Sequence, residues 1–226
     1  MRKILMLLFT LMFVCTVQAQ KDVTTFLGIP VDGYKTEMKK KLIAKGFTPV
    51  QGQEFLKGEF NGTDVNVYII TNNNKVYRIM LCDVNSQDEG NIKIRFNNLV
   101  RQFKNNKRYT ALDDYTLSDS ENISYEMTVN NKKYDAVFYQ NPNTEKMDTI
   151  AIQNELKEKV QAKYTKEQLE SPTEEIKSDI QSMSLELLTE YFTKKPVWFR
   201  IIEEYGSYSI AMYYDNEYNH ANGEDL

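Results

Sequence analysis

Three strand-like runs joined by two tight turns constrain this chain more than any other feature. Residues 54–60 lead into an Asn-Gly pair at 61–62, the strongest two-residue signal for a β-hairpin. Residues 65–71 then alternate apolar and polar positions, and the three asparagines at 72–74 precede a third run over 75–84. Strands joined by such short turns pair antiparallel, because a parallel pair needs a long crossover. The sequence therefore predicts an antiparallel meander.

A similar pattern returns at an offset of 69 residues. Residues 60–62 match 129–131, and 67–69 match 136–138. The correspondence predicts a second three-strand meander, with strands over the ranges 122–129, 134–140 and 146–154. We therefore expect an internal duplication, although two asparagine-rich meanders can also resemble each other by chance.

Four segments have the apolar spacing of amphipathic helices, and a final hairpin follows them. The helices are predicted over 34–46, 86–103, 155–163 and 172–193, and the hairpin strands over 197–204 and Ser207–Asp215. The expected fold is α+β, an antiparallel sheet of about eight strands built from duplicated three-strand meanders plus a C-terminal hairpin, with helices packed on one face. The predicted parts, which we expect to form one compact unit, are a signal peptide (1–19), a first helix-meander repeat with its following helix (20–105), and a second repeat with helix, hairpin and tail (106–226).

The first nineteen residues have the pattern of a secretory signal peptide. A basic start precedes an apolar run over 4–14, and small residues then allow cleavage between Ala19 and Gln20. A membrane anchor is the competing interpretation, but the run is too short to span a bilayer. A lipoprotein would use Cys15, yet Val14 stands where a small residue is required. We expect a periplasmic or secreted protein that is not a lipoprotein, whose mature chain has no transmembrane segment.

Composition argues against several classes of activity. The formal net charge is −4, so no positive field is available for nucleic-acid phosphates. The single histidine, His220, and the one cysteine of the mature chain, Cys82, are too few for a zinc site. Phosphate-loop and dinucleotide fingerprints are absent from the sequence. We therefore expect no cofactor and no catalytic residues.

Two residue clusters near the C-terminus remain as candidate sites. Exposed aromatic rings stack on sugars or anchor protein partners, although strand residues of this kind also pack in cores. The candidate ligand-binding residues are Trp198, Tyr213, Tyr214 and Tyr218. Asp215, Glu217 and Asn219 are a weak calcium candidate, because calcium prefers oxygen ligands. A solvated acidic terminus or a turn cap explains the same residues.

The predicted helix-plus-meander unit resembles the architectures of the BLIP-like (beta-lactamase-inhibitor-protein-like) and PepSY-like families. The sequence segments 26–33, 72–77, 213–219 and 222–226 resemble those of a family of exported Bacteroidota proteins. The resemblance implies an envelope or secreted location and supplies no catalytic residues. BLIP-like proteins bind a protein through an exposed sheet face, so the resemblance also implies a binding surface of that kind.

Three functions follow as expectations. The first is an exported, non-enzymatic protein that binds a protein or peptide of the cell envelope on its exposed sheet face. The second is a glycan-binding module that uses Trp198 and the neighbouring tyrosines. The third is a carboxylate-based hydrolase, for which the chain offers acidic residues but no diagnostic pair.

Overall fold

The computed structural model describes residues 22–143 and 149–220, and its main feature is an eight-stranded antiparallel sheet. A separate two-stranded hairpin precedes that sheet. The strands are β1 (Thr25–Phe26), β2 (Ile29–Pro30), β3 (Thr48–Pro49), β4 (Leu56–Phe60), β5 (Thr63–Asn72), β6 (Lys75–Asp83), β7 (Tyr109–Ala111), β8 (Asp135–Gln140), β9 (Pro196–Glu204) and β10 (Ser207–Asp215). Their order in the large sheet is β3-β4-β5-β6-β10-β9-β8-β7, so the C-terminal hairpin joins the two halves of the chain.

Six α-helices lie in the described residues, and the predicted α+β fold is confirmed. They are α1 (Lys35–Ala44), α2 (Glu89–Asn105), α3 (Ile123–Asn130), α4 (Thr149–Lys163), α5 (Lys166–Glu170) and α6 (Glu174–Thr193), followed by a 3₁₀ turn at Glu217–Asn219. Buried residues of α1, α2 and α3 pack on one face of the sheet. That face is therefore the core.

Helix α2 illustrates how the sequence builds the core. Its apolar residues recur every three or four positions, so they form one stripe, and all five are buried: Ile92, Phe96, Leu99, Val100 and Phe103. The ring of Phe199 from β9 lies against them, 5.0 Å from Phe96 and 5.8 Å from Phe103 between centroids. Strand alternation supplies the matching surface, because Val197, Phe199 and Ile201 all point to this face.

The N-terminal hairpin of β1 and β2 completes the core. The fully buried ring of Phe26 contacts Phe47, Phe60 and Tyr214, with centroids 4.9 to 6.1 Å apart. The buried Thr24 hydroxyl donates to the carbonyl of Asp215. This segment is therefore part of the fold rather than a loose terminus.

Helices α4 and α6 pack against each other, and α6 contacts the sheet at β8. Ile152 and Leu187 are buried between them, and the Tyr191 hydroxyl donates to Glu155 at 3.0 Å. Burial and this hydrogen bond raise the pKa of Tyr191 to about 12. The pair forms a small apolar cluster of its own beside the main core.

The predicted strand over 122–129 is wrong, because this segment is helix α3. Ile123 and Met127 are four residues apart and both face the core, so the segment fits a helix as well as a strand. The helix is favoured by its ends: the Asn122 side chain accepts from the Tyr125 amide, and Asn131 adopts the left-handed conformation that ends a helix.

The predicted strand over 146–154 is also wrong in its described part. Residues 144–148 lie outside the described residues, and α4 begins at Thr149. Ile152 extends the spacing-four stripe of Leu156 and Val160, so one helix replaces the expected strand and short helix.

The expected duplication of the meander is therefore not realised in the described structure. Only the strand predicted over 134–140 forms, as β8, and it pairs with β7 and β9 rather than within a second meander. The predicted helix starts at residues 86 and 172 also move: Asp88 caps α2, which begins at Glu89, and Thr173 caps α6, which begins at Glu174. The apolar pattern specifies neither these caps nor a strand pair as short as β1 with β2, because both are set by a few local hydrogen bonds.

Candidate functional site

The face of the sheet opposite α1–α3 carries large, partly exposed side chains. Because side chains alternate along a strand, the residues between the core positions point to this face. We call it the open face and define it by the following partly exposed residues: Tyr68, Arg78, Met80, Val137, Tyr139, Trp198, Arg200 and Tyr213. A single antiparallel sheet with one packed face leaves its other face to water or to a partner.

Two aromatic rings at the centre of the open face are stacked. Trp198 of β9 and Tyr213 of β10 are directly opposite each other in the strand register. Their ring centroids are 3.9 Å apart and their planes differ by 15°. The stacking covers one side of each ring, because each side chain stands up from the sheet beside its neighbour.

An arginine–aspartate pair lies beside the stacked rings. Arg78 of β6 donates from Nε to Oδ1 of Asp215 at 2.6 Å and from Nη2 to Oδ2 at 2.7 Å. The indole Nε1 of Trp198 donates to the same Oδ2 at 2.8 Å. These contacts hold the guanidinium 5.0 Å from the Tyr213 ring centroid and 5.5 Å from that of Trp198. Hydrogen bonding to Asp215 is the main reason why the pKa of Arg78 is raised.

A second arginine–aspartate pair completes the arrangement on the other side of the tryptophan. Arg200 donates to both carboxylate oxygens of Asp135 on β8, at 2.8 and 2.7 Å. Its guanidinium carbon lies 5.0 Å from the Trp198 ring centroid. We call Arg78, Tyr213, Trp198 and Arg200 the arginine–aromatic array. It crosses three adjacent strands, β6, β10 and β9.

A shallow pocket of about 410 Å³ adjoins the array. Val137 and Tyr139 of β8 line one side, and Thr193 at the end of α6 and Glu217 line another. Burial raises the pKa of Tyr139 and that of Glu217. The array and the pocket together offer stacked rings, donor groups and a concave apolar edge, which is a surface suited to binding.

The structure separates the four aromatic residues proposed from the sequence. Trp198 and Tyr213 lie together on the open face, as described above. Tyr214 is only 4% exposed and points into the core, so it does not lie on the open face with Trp198 and Tyr213. Neighbouring strand residues face opposite sides of a sheet, which is why Tyr213 and Tyr214 separate. Tyr218 follows β10 in the 3₁₀ turn, where the Lys194 ammonium lies 5.7 Å from its ring centroid.

The calcium candidate is not supported by the arrangement of its residues. Both carboxylate oxygens of Asp215 are engaged by Arg78, whose positive charge opposes a cation. The Asn219 amide nitrogen donates to Asp32 at 2.8 Å and to the carbonyl of Val76 at 2.9 Å. In residues 22–143 and 149–220, no three His, Cys, Asp or Glu side chains are grouped so that they could hold a metal ion.

The partners of Trp198 were not predicted from the sequence. Arg78, Arg200 and Asp135 come from three strands, and only the register places them beside the tryptophan. The sequence offered one signal, and only for Arg200: because side chains alternate along a strand, residues 198 and 200 lie on the same face. Cys82 lies on this side of β6, and burial raises its thiol pKa, which disfavours the reactive thiolate.

Two further findings bear on identity. None of the helices within the described ranges has the length and apolar character needed to cross a bilayer. No family model, curated protein or solved structure matches this chain.

Proposed function

We propose that this protein is an exported, non-enzymatic binding protein that takes a protein or peptide partner from the cell envelope on its open face. The observation that carries the proposal is the partly exposed arginine–aromatic array on the open face. Tryptophan, tyrosine and arginine are the residues that contribute most energy at protein interfaces. The array concentrates all three within a few ångströms.

The two arginine–aspartate pairs fix the conformation of the array before a partner binds. Each arginine is held by two hydrogen bonds to an aspartate, so the guanidinium groups lose little side-chain freedom when a partner docks. Rigid, amphipathic groups of this type are typical of protein-binding surfaces.

A glycan is less well supported as the ligand. Sugars stack on the open side of an aromatic ring. In the array, Tyr213 covers one side of the Trp198 ring, and guanidinium groups lie within 5.5 Å of its centroid. The geometry therefore favours an extended peptide or a protein surface over a sugar ring.

A carboxylate-based hydrolase is also less well supported. A general acid needs a carboxyl group that holds a proton near neutral pH. On the open face, Asp135 and Asp215 each bind an arginine with both carboxylate oxygens. They are arranged to position the arginines rather than to transfer protons.

Site-specific photo-crosslinking in cells tests the proposal. A crosslinking amino acid at Val137 probes the open face, and one at Ile94, which is 61% exposed on α2, is the matched control on the helical side. We expect Val137 to give a single crosslinked envelope protein, identified by mass spectrometry, and Ile94 to give none. Equal crosslinking from both positions, or none from Val137, would contradict the proposal.

The identified partner can then be titrated against the purified chain. Trp198 is the single tryptophan, so its fluorescence reports directly on the array when the titrated fragment contains no tryptophan. We expect Val137→Glu to weaken binding at least tenfold and Ile94→Glu to leave it unchanged. The same preparation tests export, because the mass of the envelope-derived chain should correspond to a first residue of Gln20.

A further inference from the structure

A second concave site lies on the helical side of the sheet, separate from the open face. It is a cavity of about 360 Å³, within the size range of small-molecule sites. The turn between β1 and β2, the turn after β4 and the C-terminal part of α2 surround it. No residue of the arginine–aromatic array lines it.

The floor of this cavity is apolar and is formed by residues of the packed core. Phe103 of α2 and Met212 and Tyr214 of β10 are buried residues of the core that also line the cavity. Phe60 stands beside them, with its ring centroid 6.5 Å from that of Tyr214. A ligand that enters therefore meets aromatic rings and a thioether, which favour an aryl or alkyl group.

The rim of the cavity is polar, and the charge on it is positive. Asn61 donates to Gln102 across the mouth at 2.8 Å, and Asn106 and Arg108 continue the rim. None of the described lining residues is acidic. Arg108 is thus the sole charged side chain among them, and the rim favours an anion over a cation.

The arginines of the described structure differ in how they are satisfied. Arg78, Arg95 and Arg200 each make two hydrogen bonds to an aspartate, and Arg101 donates to Asn98. The Arg108 guanidinium makes no hydrogen bond or ion pair with any residue in the described ranges. Its planar fork is therefore available for a carboxylate.

A strained residue marks the same rim. Leu27 has φ of +51° in the turn between β1 and β2, where Gly28 follows with φ of +79°. Asparagine or glycine is favoured at such a position, because a leucine there costs conformational energy. Leu27 is 41% exposed and lines the cavity, so this turn places an apolar side chain at the mouth at some cost in stability.

From these observations we infer that the cavity binds a small amphipathic carboxylate, with its aryl or alkyl part on the Phe60–Phe103–Met212–Tyr214 floor and its carboxylate on Arg108. The same chemistry is offered by a free acid and by the C-terminal residue of a peptide that ends in an apolar side chain. The site is independent of the partner proposed for the open face.

The test is a titration of the ¹⁵N-labelled chain, residues 20–226, followed by NMR amide shifts. The probes are 3-phenylpropionate, its uncharged analogue 3-phenylpropanamide, and a tetrapeptide that ends in phenylalanine. We expect 3-phenylpropionate to shift the amides around the cavity, at 27–28, 60–61 and 102–109, and to leave those of β8 unchanged. The amide analogue should bind about tenfold more weakly, because it lacks the charge.

Three variants separate the parts of the proposal. Arg108→Gln should weaken 3-phenylpropionate binding about tenfold. Arg101→Gln, on the last two turns of α2 and already hydrogen-bonded to Asn98, is the matched control that should not. Gln102→Trp should fill the mouth and abolish binding of both phenyl probes. If the tetrapeptide binds more tightly than 3-phenylpropionate, the natural ligand is a peptide terminus; if it does not bind, the ligand is a free acid.

Specific results would overturn the inference. No saturable shift at millimolar 3-phenylpropionate would rule out the site. Equal affinity for acid and amide, or an Arg108→Gln variant that binds as well as the parent, would rule out recognition of the carboxylate. Shifts that map to the open face instead would assign the probe to the other surface and also contradict the inference.

Discussion

The two faces of one sheet use similar residues for different purposes. On the core face, the rings of Phe96, Phe103, Phe138 and Phe199 lie 4.7 to 6.1 Å apart between contacting pairs and exclude water. On the open face, the rings of Trp198 and Tyr213 stack more closely, 3.9 Å apart, but two charged pairs flank them. Ring contact alone therefore does not identify a core, whereas partly exposed guanidinium groups beside the rings indicate a surface.

Adjacent residues of β9 and β10 contribute to both faces. Trp198 and Phe199 are neighbours in sequence, as are Tyr213 and Tyr214, yet each pair is divided between the two sides. The free energy of folding should therefore depend mainly on one member of each pair, and partner binding on the other. The following substitutions test this division.

The largest contrast is expected between Phe199→Ala and Trp198→Ala. Phe199 is fully buried among three rings, so its loss leaves a cavity and should lower the free energy of unfolding by about 3–5 kcal/mol. Trp198 is partly exposed, so its loss should cost about 1–2 kcal/mol, from one stacked contact and one hydrogen bond. Urea denaturation measures both values. Equal losses would show that the open face is as important for folding as the core.

A smaller contrast is expected between the two arginines of the array. Arg78→Met leaves the Asp215 carboxylate, whose side chain is 5% exposed, without its charged partner, which should cost about 2 kcal/mol. Arg200→Met is the matched control, because Asp135 is 33% exposed and water can solvate it, so we expect a loss of up to about 1 kcal/mol. Urea denaturation at low and at 0.5 M salt gives the comparison. A larger loss for Arg200→Met would contradict the assigned burial.

The smallest contrast concerns the two tyrosines at high pH. Burial raises the pKa of Tyr214 well above its usual value, and that of Tyr213 less. Because the folded state disfavours the phenolate, stability is complete below the unfolded pKa of about 10 and falls as the pH rises above it. Between pH 9 and 10.5 this effect amounts to about 0.8 kcal/mol for one such tyrosine.

The measurement is chemical denaturation across that pH range for the parent chain, Tyr214→Phe and Tyr213→Phe. Tyr214→Phe should lose less stability on going to high pH than the parent does. Tyr213→Phe should follow the parent more closely, because its phenol ionises more readily in the folded chain. If the two variants have the same pH dependence, the inferred difference in burial is wrong.

The sequence predicted well the parts of the fold in which local pattern and turn chemistry agree. The turn at 61–62, the stripe of α2 and the hairpin of β9 and β10 were all expected and were all found. The segment 122–129 failed, because Ile123 and Met127 satisfy a helix while Tyr125 and Val129 complete the alternation of a strand. Helix α3 was decided by its caps and by the Ile123 amide, which donates to Glu89 of α2 at 2.7 Å.

For the candidate site, the sequence singled out Trp198 and Tyr213 but also Tyr214, because proximity along the chain does not specify a face. It gave no indication of Arg108 and Leu27, which are 81 residues apart and meet only at the cavity rim. Such contacts depend on where the β1–β2 hairpin docks against α2. Docking of this kind is set by complementary shape rather than by periodicity.

By itself, the sequence determined the fold class, most helices, the first meander and the last hairpin, since these depend on spacing within about twenty residues. Only the tertiary structure decided which strands meet, and therefore that two arginine–aspartate pairs flank Trp198. It also decided that Arg108, which has no side-chain partner among residues 22–143 and 149–220, lines an aromatic cavity. The physical reason is that both sites are made from side chains brought together by strand register and helix docking, and these are fixed by packing of the whole core.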